Sequence, residues 1–390
     1  MKQIIAENVG VPIKIWLEDI EPNALAQAHN LANLPFVFRH VALMPDCHSG
    51  YGMPIGGVLA TSGVVIPNAV GVDIGCGMCA LKTSLTEIDT DKLKQIMSGI
   101  RQLIPLGLNH QKERQDETLM PSLEALPPQA VVRNQYLSAL KQIGTLGGGN
   151  HFIEIQKGSD GHIWVMIHSG SRNLGYKVAA HYNKLAERLN KLWHSAVPKE
   201  HELAFLPIES QEAKDYLQEM QYCVDFAFAN RKLMMENIKQ VFAAVLGDKF
   251  TELDFINIAH NYAQWESHFG TDVIVHRKGA TSARKGEIGI IPGSQGTKSY
   301  IVEGKGNVES FQSCSHGAGR VMSRKQAQRE LSLEDEINKL NAQGIIHSIR
   351  RTRDLDEASG AYKNIDVVME NQKDLVDILV ELSPLAVIKG

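Results

Sequence analysis

The chain has 390 residues, of which 43% are hydrophobic and 22% charged, with a net charge of −4 and five cysteines. These values exclude a disordered or fibrous chain, and at roughly 150 residues per domain they allow two or three units or one large one. The apolar runs fall far short of the ~18 residues of a membrane span, the N-terminus turns polar too early for a secretory signal, and five cysteines suggest no disulfide framework, so a cytoplasmic protein is expected.

In chain order, the run from Phe36 to Leu43 is β-like, and Trp164 to Ile167 is another such run. Val178, Tyr182, Leu185, Leu189 and Leu192 recur at spacings of four and three, which predicts a helix over about 175–194. A longer helix is predicted from the cap candidate Ser210, with Ala213, Leu217, Met220, Val224 and Ala227 on one face, to near Gly247. Short strands follow at 272–275 and 300–303, and a third helix is predicted over about 366–382, ahead of Pro384. The charged, proline-containing stretch 111–129 reads as an exposed loop or lid. Helices and strands do not alternate strictly, which favours an α+β fold. The expected organisation is one domain over 1–390, with β-sheets flanked by helices, an inserted helical segment at about 175–247, and a central cleft built from Gly-rich loops.

Chemistry collects in seven such loops, at 45–50, 71–77, 147–154, 168–172, 258–261, 292–296 and 315–320. Glycine costs backbone entropy and is placed where a turn or a close approach requires it, so its repeated pairing with Asp, Cys, His or Ser points to a site. Asp73 and Cys76 are three apart across Gly75 and can turn a carboxylate and a thiolate to one point. With His151, His168 and His260 they form a mixed O, S and N donor set for one or two divalent transition metals. The Cys76-Gly77-Met78-Cys79 pair has no second CxxC to complete a zinc ribbon. The loops at 292–299 and 316–320 offer backbone N–H groups, hydroxyls and cations, as phosphate cradles do, although neither is a P-loop. Between residues 271 and 330 ten Lys or Arg stand against five acids, a local +5 in a chain of −4. Metal donors, phosphate cradles and a basic stretch together argue for phosphoryl or nucleotidyl transfer on a polyanion.

The segments Pro-Asp-Cys-His-Ser-Gly-Tyr-Gly-Met-Pro-Ile-Gly-Gly (45–57), Gly-Val-Asp-Ile-Gly-Cys-Gly-Met (71–78), Gly-Gly-Asn-His-Phe-Ile-Glu (148–154), His-Ser-Gly-Ser-Arg (168–172), His-Arg-Lys-Gly-Ala (276–280) and Ser-His-Gly-Ala-Gly-Arg (315–320) strongly resemble the RtcB family of RNA ligases. Their order is the family's order, and the resemblance runs from about residue 10 to the closing Val387-Ile388-Lys389-Gly390. It implies a GTP- and manganese-dependent ligase that joins RNA 3′-phosphate or 2′,3′-cyclic phosphate ends to 5′-hydroxyl ends through a covalent histidine–GMP intermediate.

Carried onto this chain, the nucleophile is His316 and the acid that orients it is Asp46. Two Mn²⁺ fall to Asp73, Cys76, His151, His168 and His260, with Cys76 as the bridge. The nucleotide falls to Asn150, Phe152, Glu154, Ser294, Ser299, Tyr362 and Lys389, with Gly317 and Gly319 in the phosphate-cradling loop. Arg172, Arg320 and Arg324 are candidates for RNA phosphates. The resemblance leaves room for an archease-like activator or a release-factor-like partner, and for transfer or ribosomal RNA as substrate. The competing reading is a metal-dependent phosphodiesterase or phosphatase that acts on RNA ends without a nucleotide adduct.

Overall fold

A computed structural model describes residues 1–390, the side chain of Asp248 excepted. The protein is α+β. One sheet has six strands in spatial order Gln3–Ile5, Ile13–Ile15, Val37–His48, Ile55–Thr61, Thr271–Lys278 and Asn261–His268. A second has seven, in the order Glu252–Ala259, Gly77–Thr83, Ile163–Ser169, Phe152–Gly158, Val376–Lys389, Ser299–Gly304 and Ile288–Ile291. Pairing is antiparallel throughout the seven-stranded sheet. Among the described residues, no helix is long and apolar enough to cross a membrane.

The two predicted long helices form, as Arg172–Leu192 and Gln211–Leu246. Ser210 caps the second, its hydroxyl accepting from the Ala213 amide at 3.2 Å. Buried Tyr216, Met220, Cys223 and Phe226 share one core with Val178 and Tyr182 of the first helix. Further along, Met234, Met235, Ile238 and Phe242 pack with Ile153, Val165 and Ile167 of the seven-stranded sheet. The long helix therefore lies across the sheet that carries the metal donors.

The helix predicted over 366–382 does not form. Ile365–Glu370 is a short helix, and Val376–Lys389 is a strand of the seven-stranded sheet. The apolar residues there serve both periods, and ladder pairing to Ser299–Gly304 on one side and Phe152–Gly158 on the other decides for the strand. The stretch 111–129 is largely exposed but is no free lid: Met120 and Leu126 are buried in the helical core, and Arg133 donates to the carbonyls of Leu123, Leu126 and Pro127.

The +5 stretch does not become a basic surface. Arg277 is buried against Glu266, Arg284 reaches the same carboxylate, Lys298 pairs with Glu381, and Lys305 pairs with Asp377. Arg320 and Arg324 share Glu357. Four of the partner acids lie outside the stretch, so counting charge along a sequence window missed the neutralisation that folding brings.

Candidate metal and nucleotide site

Register brings the metal donors together. Gly77 pairs with Ser169 and with Ala259, Met78 with His168, and Phe152 with His168. Cys76, His151, His168 and His260 are therefore neighbours at one end of the sheet. Gly77 is required there, because a Cβ would sit 2.0 Å from the Ile258 carbonyl oxygen. Behind this edge, two adjacent residues of the long helix hold the loops. Asn230 accepts from the Gly144 and Thr145 amides and donates to Gly170 O, while buried Arg231 donates to Gly75 O and Ser169 O at 3.0 and 2.9 Å. Neither residue stands in a Gly-rich motif, and sequence reading passed over both.

The donor atoms form two groups, Asp73–Cys76–His151 and Cys76–His168–His260, each with all its atoms within 4.8 Å. Cys76 Sγ is shared, 3.4 Å from His151 Nε2 and 3.3 Å from His168 Nε2. His151 Nδ1 donates to Leu146 O at 3.0 Å and His168 Nδ1 to Asn150 O at 3.1 Å. A carbonyl only accepts, so each neutral ring carries its proton on Nδ1 and turns the Nε2 lone pair inward. Burial pushes the Cys76 thiol up, and burial, reinforced by the neighbouring histidines, holds His168 and His260 well below the usual histidine range. Burial opposes ionisation of Asp73 too, yet the adjacent His151 ring, with Nε2 3.2 Å from Oδ2, holds it below the usual carboxylate range. Three imidazoles, a carboxylate and a thiol on converging vectors fit a pair of divalent cations, which would draw the thiol into its anionic form. Cys79, the other half of the CxxC, lies elsewhere, its buried thiol 4.0 Å from Arg231 O.

Beside this cluster opens a cleft lined by residues that include His48, Asn150, Phe152, Glu154, Ser294 and His316, with Gly317, Gly319, Arg320, Arg324, Glu357, Tyr362 and Lys389 on its remaining walls. The His260 and His316 rings meet edge to face at 4.8 Å. Asp46, fully buried on the strand Val37–His48, accepts through Oδ2 from His316 Nδ1, the His316 amide and the Gly317 amide. Burial opposes its charge, and His316 nonetheless holds it below the usual carboxylate range. Gly319 has φ +77°, and a Cβ there would meet the Asp46 carbonyl oxygen at 2.3 Å, so this glycine lets the loop seat against Asp46.

At the other end of the cleft, strand register sets Lys389 beside Phe152 and Val387 beside Glu154. Lys389 Nζ lies 5.4 Å from the centre of the Phe152 ring. Glu154 is buried with Oε1 unpartnered, and burial pushes its carboxyl well up against the opposing pull of Lys389. A buried acceptor without a partner is expensive, and N–H donors of a purine edge would satisfy it.

Not every candidate residue faces the cleft. Ser299 does not line the cleft; its buried hydroxyl accepts from the Gly293 amide at 3.2 Å and shapes the loop behind Ser294. The His316 and Gly317 amides are committed to Asp46, so neither is free for a phosphate. Lys298 points away to Glu381. Arg172 lies behind the metal cluster instead of in the cleft, donating to Thr145 Oγ1 at 3.2 Å with Nη1 3.5 Å from His151 Nδ1. Arg320 and Arg324 do line the cleft, but Glu357 accepts from both, and Tyr362 also donates to it. Sequence reading missed Glu357 because nothing in Asp354-Leu355-Asp356-Glu357 marks it out. His-Arg-Lys-Gly-Ala proves to be scaffold: the His276 ring accepts from the Ile66 amide, and Lys278 donates to the Tyr51 and Asn68 carbonyls.

A cluster of metal-ligating side chains that shares Cys76, beside a cleft holding an oriented histidine, defines the site of a metal-dependent protein. The family model described as tRNA-splicing ligase RtcB matches residues 27–126 and 121–390, and the chain belongs to the RtcB family. It is 39% identical to the RNA-splicing ligase RtcB of Escherichia coli K12, over 98% of each chain. It is also 31% identical to the tRNA-splicing ligase RtcB of Thermococcus kodakarensis and 33% identical to that of Nanoarchaeum equitans, over 98% of this chain and 96% of each relative.

Proposed function

We propose that this protein is an RNA ligase that uses GTP and two Mn²⁺ to join RNA 3′-phosphate or 2′,3′-cyclic phosphate ends to 5′-hydroxyl ends. On this reading 1–390 is one catalytic unit, and the helical segment at about 175–247 is an insertion that braces the metal loops. The observation that carries the proposal is the state of His316: Asp46 accepts from its Nδ1 and from its amide, and the ring lines a cleft that also contains the unpartnered Glu154 carboxylate.

With Nδ1 donating to Asp46, the Nε2 lone pair is the free nucleophile. It attacks the α-phosphorus of GTP; a phosphoramidate bond forms, the bond to the bridging oxygen breaks, and pyrophosphate leaves. A 2′,3′-cyclic end is first opened by water, the P–O2′ bond breaking to leave a 3′-phosphate and a 2′-hydroxyl; an oxygen of the RNA 3′-phosphate then displaces the imidazole and takes the GMP. The 5′-hydroxyl attacks that activated phosphate, and GMP departs. Asp46 stabilises the positive charge that develops on His316 during transfer. Glu154 accepts from the guanine N1–H and N2–H₂ edge, Phe152 and Tyr362 flank the base, and Lys389 donates to an acceptor on the purine. Ser294 and Asn150 border the phosphates. Arg320 and Arg324 turn from Glu357 to phosphate oxygens when RNA arrives. Asp73, Cys76, His151, His168 and His260 would hold the cations, which when bound would supply Lewis-acid polarisation of the phosphoryl oxygens. An archease-like activator or a release-factor-like partner fits this reading as an accessory to the full cycle.

The test is incubation with MnCl₂ and α-labelled GTP, followed by a denaturing gel and acid treatment, with His316→Ala alongside. An acid-labile adduct on the wild type alone is expected. No adduct with metal loading confirmed would return the chain to the hydrolase reading.

A further inference from the structure

The helix Arg172–Leu192 begins three residues after the strand residue Ser169, next to His168, and the Ser171 hydroxyl donates to Ile74 O inside the Asp73–Cys76 loop. Its N-terminus therefore abuts the metal donors. Tyr176, Asn183, Lys184, Glu187, Arg188 and Lys191 recur along one face at helical spacing. Two concavities lie on that face: one is bounded by Gly71, Val72 and Tyr176, and the other, of about 720 Å³, by Arg188, Lys191, His194 and Lys199. Lys184 and Glu187 line both, which makes them one groove leading away from the metal cluster. At ~1.5 Å per helical residue it runs roughly 27 Å from Tyr176 to His194.

The charge of the groove is unlike that of the cleft. Arg320 and Arg324 are tied to Glu357, whereas Lys184, Arg188, Lys191 and Lys199 are exposed and, among the described residues, form no ion pair. The two acids in the groove have neutral partners: Glu187 accepts from Asn183 Nδ2 at 3.1 Å and Glu202 from the Gly52 amide at 3.2 Å. Cations in a last helical turn favour the helix dipole. That accounts for Lys191, but not for Lys184 two turns earlier or for Lys199 beyond the helix. At the metal end, Val72 and Tyr176 are 48% and 51% exposed and offer an apolar, aromatic platform.

We propose that this groove seats a single strand of RNA leading away from the reacting phosphate, with Tyr176 stacking a base near the metal donors and Lys184, Arg188 and Lys191 meeting successive phosphates. The proposal rests on the ligase reading and adds to it a subsite outside the cleft. At ~3.4 Å per stacked nucleotide the groove spans roughly eight nucleotides.

The test is binding of a fluorescein-labelled 20-nucleotide single-stranded RNA to the full chain, followed by anisotropy over a salt series. For the triple variant Lys184→Glu, Arg188→Glu and Lys191→Glu, a loss of affinity of at least about tenfold is expected. The slope of log K against log salt should fall by about 2, at ~0.7 per single-strand phosphate contact. Tyr176→Ala should weaken binding by about tenfold through lost stacking. Lys94→Glu, exposed on the helix Thr90–Leu103 and lining neither concavity, should bind as wild type does. Lys184→Gln with Lys191→Gln repeats the test should the triple variant misfold. Unchanged affinity and slope for the 20-mer would overturn the proposal and leave the groove to a protein partner. The GMP adduct is scored separately, so a wild type that binds RNA through the groove without forming an adduct would sink the ligase reading alone.

Discussion

Asp46 Oδ2 lies 2.6 Å from His316 Nδ1 and 3.0 Å from the His316 backbone nitrogen, so one carboxylate oxygen sets both the tautomer of the ring and the position of its loop. Asp46→Asn keeps the shape but offers an amide in place of an acceptor-only carboxylate. The rate of GMP-adduct formation should fall by about 10³–10⁴-fold, the scale on which a mis-set histidine tautomer costs a triad enzyme. Rapid-quench single turnover with metal occupancy checked would measure it; a loss of less than tenfold would remove Asp46 from this role.

Cys76 belongs to both donor groups, and its replacement should disturb both. On the two-cation reading, Cys76→Ser should lower manganese content by more than one ion per chain, whereas His260→Ala should remove about one. Elemental analysis after gel filtration decides this, and equal losses in the two variants would argue against a shared thiolate.

Glu154 Oε1 is a buried acceptor in the cleft with no hydrogen-bond partner. Glu154→Gln should reduce preference for GTP over ATP by about 10–100-fold, since a paired purine edge contributes roughly 1–3 kcal/mol of discrimination. Adduct yield measured with each nucleotide reports the ratio.

Glu266 and Arg277 form a buried pair, 2% and 0% exposed at their side chains, and Glu266 also accepts from His268. Removing one partner strands a buried charge. Glu266→Gln should therefore destabilise the fold by about 3–5 kcal/mol in urea unfolding at pH 7.

Burial pushes His276 down from the ordinary histidine value to about 4. Between pH 6.5 and 4 the unfolded chain binds this proton and the folded chain does not. Stability should thus be fully present above about pH 6.5, decline as pH falls toward 4, and lose nothing further to this group below that. Urea midpoints at steps between pH 7.5 and 4.5 test the trend, and His276→Gln should lessen its slope by one group's share, because burial holds His40, His48, His168 and His260 down as well.

The helices Arg172–Leu192 and Gln211–Leu246 were legible because their apolar stripes have one period and Ser210 is a clear cap. The strand Val376–Lys389 was not, because its pairing on both sides lies far away in sequence. The metal donors and the Asp46 and His316 loops could be found because glycine marks close approaches. Glu357, Asn230 and Arg231 act through long-range hydrogen bonds from ordinary helical or loop sequence, and no local pattern records that. Arg172 and Ser299 stand within the right motifs, yet side-chain direction takes both out of the cleft.

The shared-thiolate cluster also has a topological consequence. Asp73 and His260 lie far apart along the chain, with the helical core folded between them, and the donors close that long loop at a single point. A cation seated there acts as a removable cross-link on the polypeptide, limiting the freedom of the opened chain much as a disulfide would. Chelation then loosens the seam between the sheet edge and the helix behind it, and amide exchange around Gly75, Gly144 and Ser169 becomes a gauge of metal occupancy.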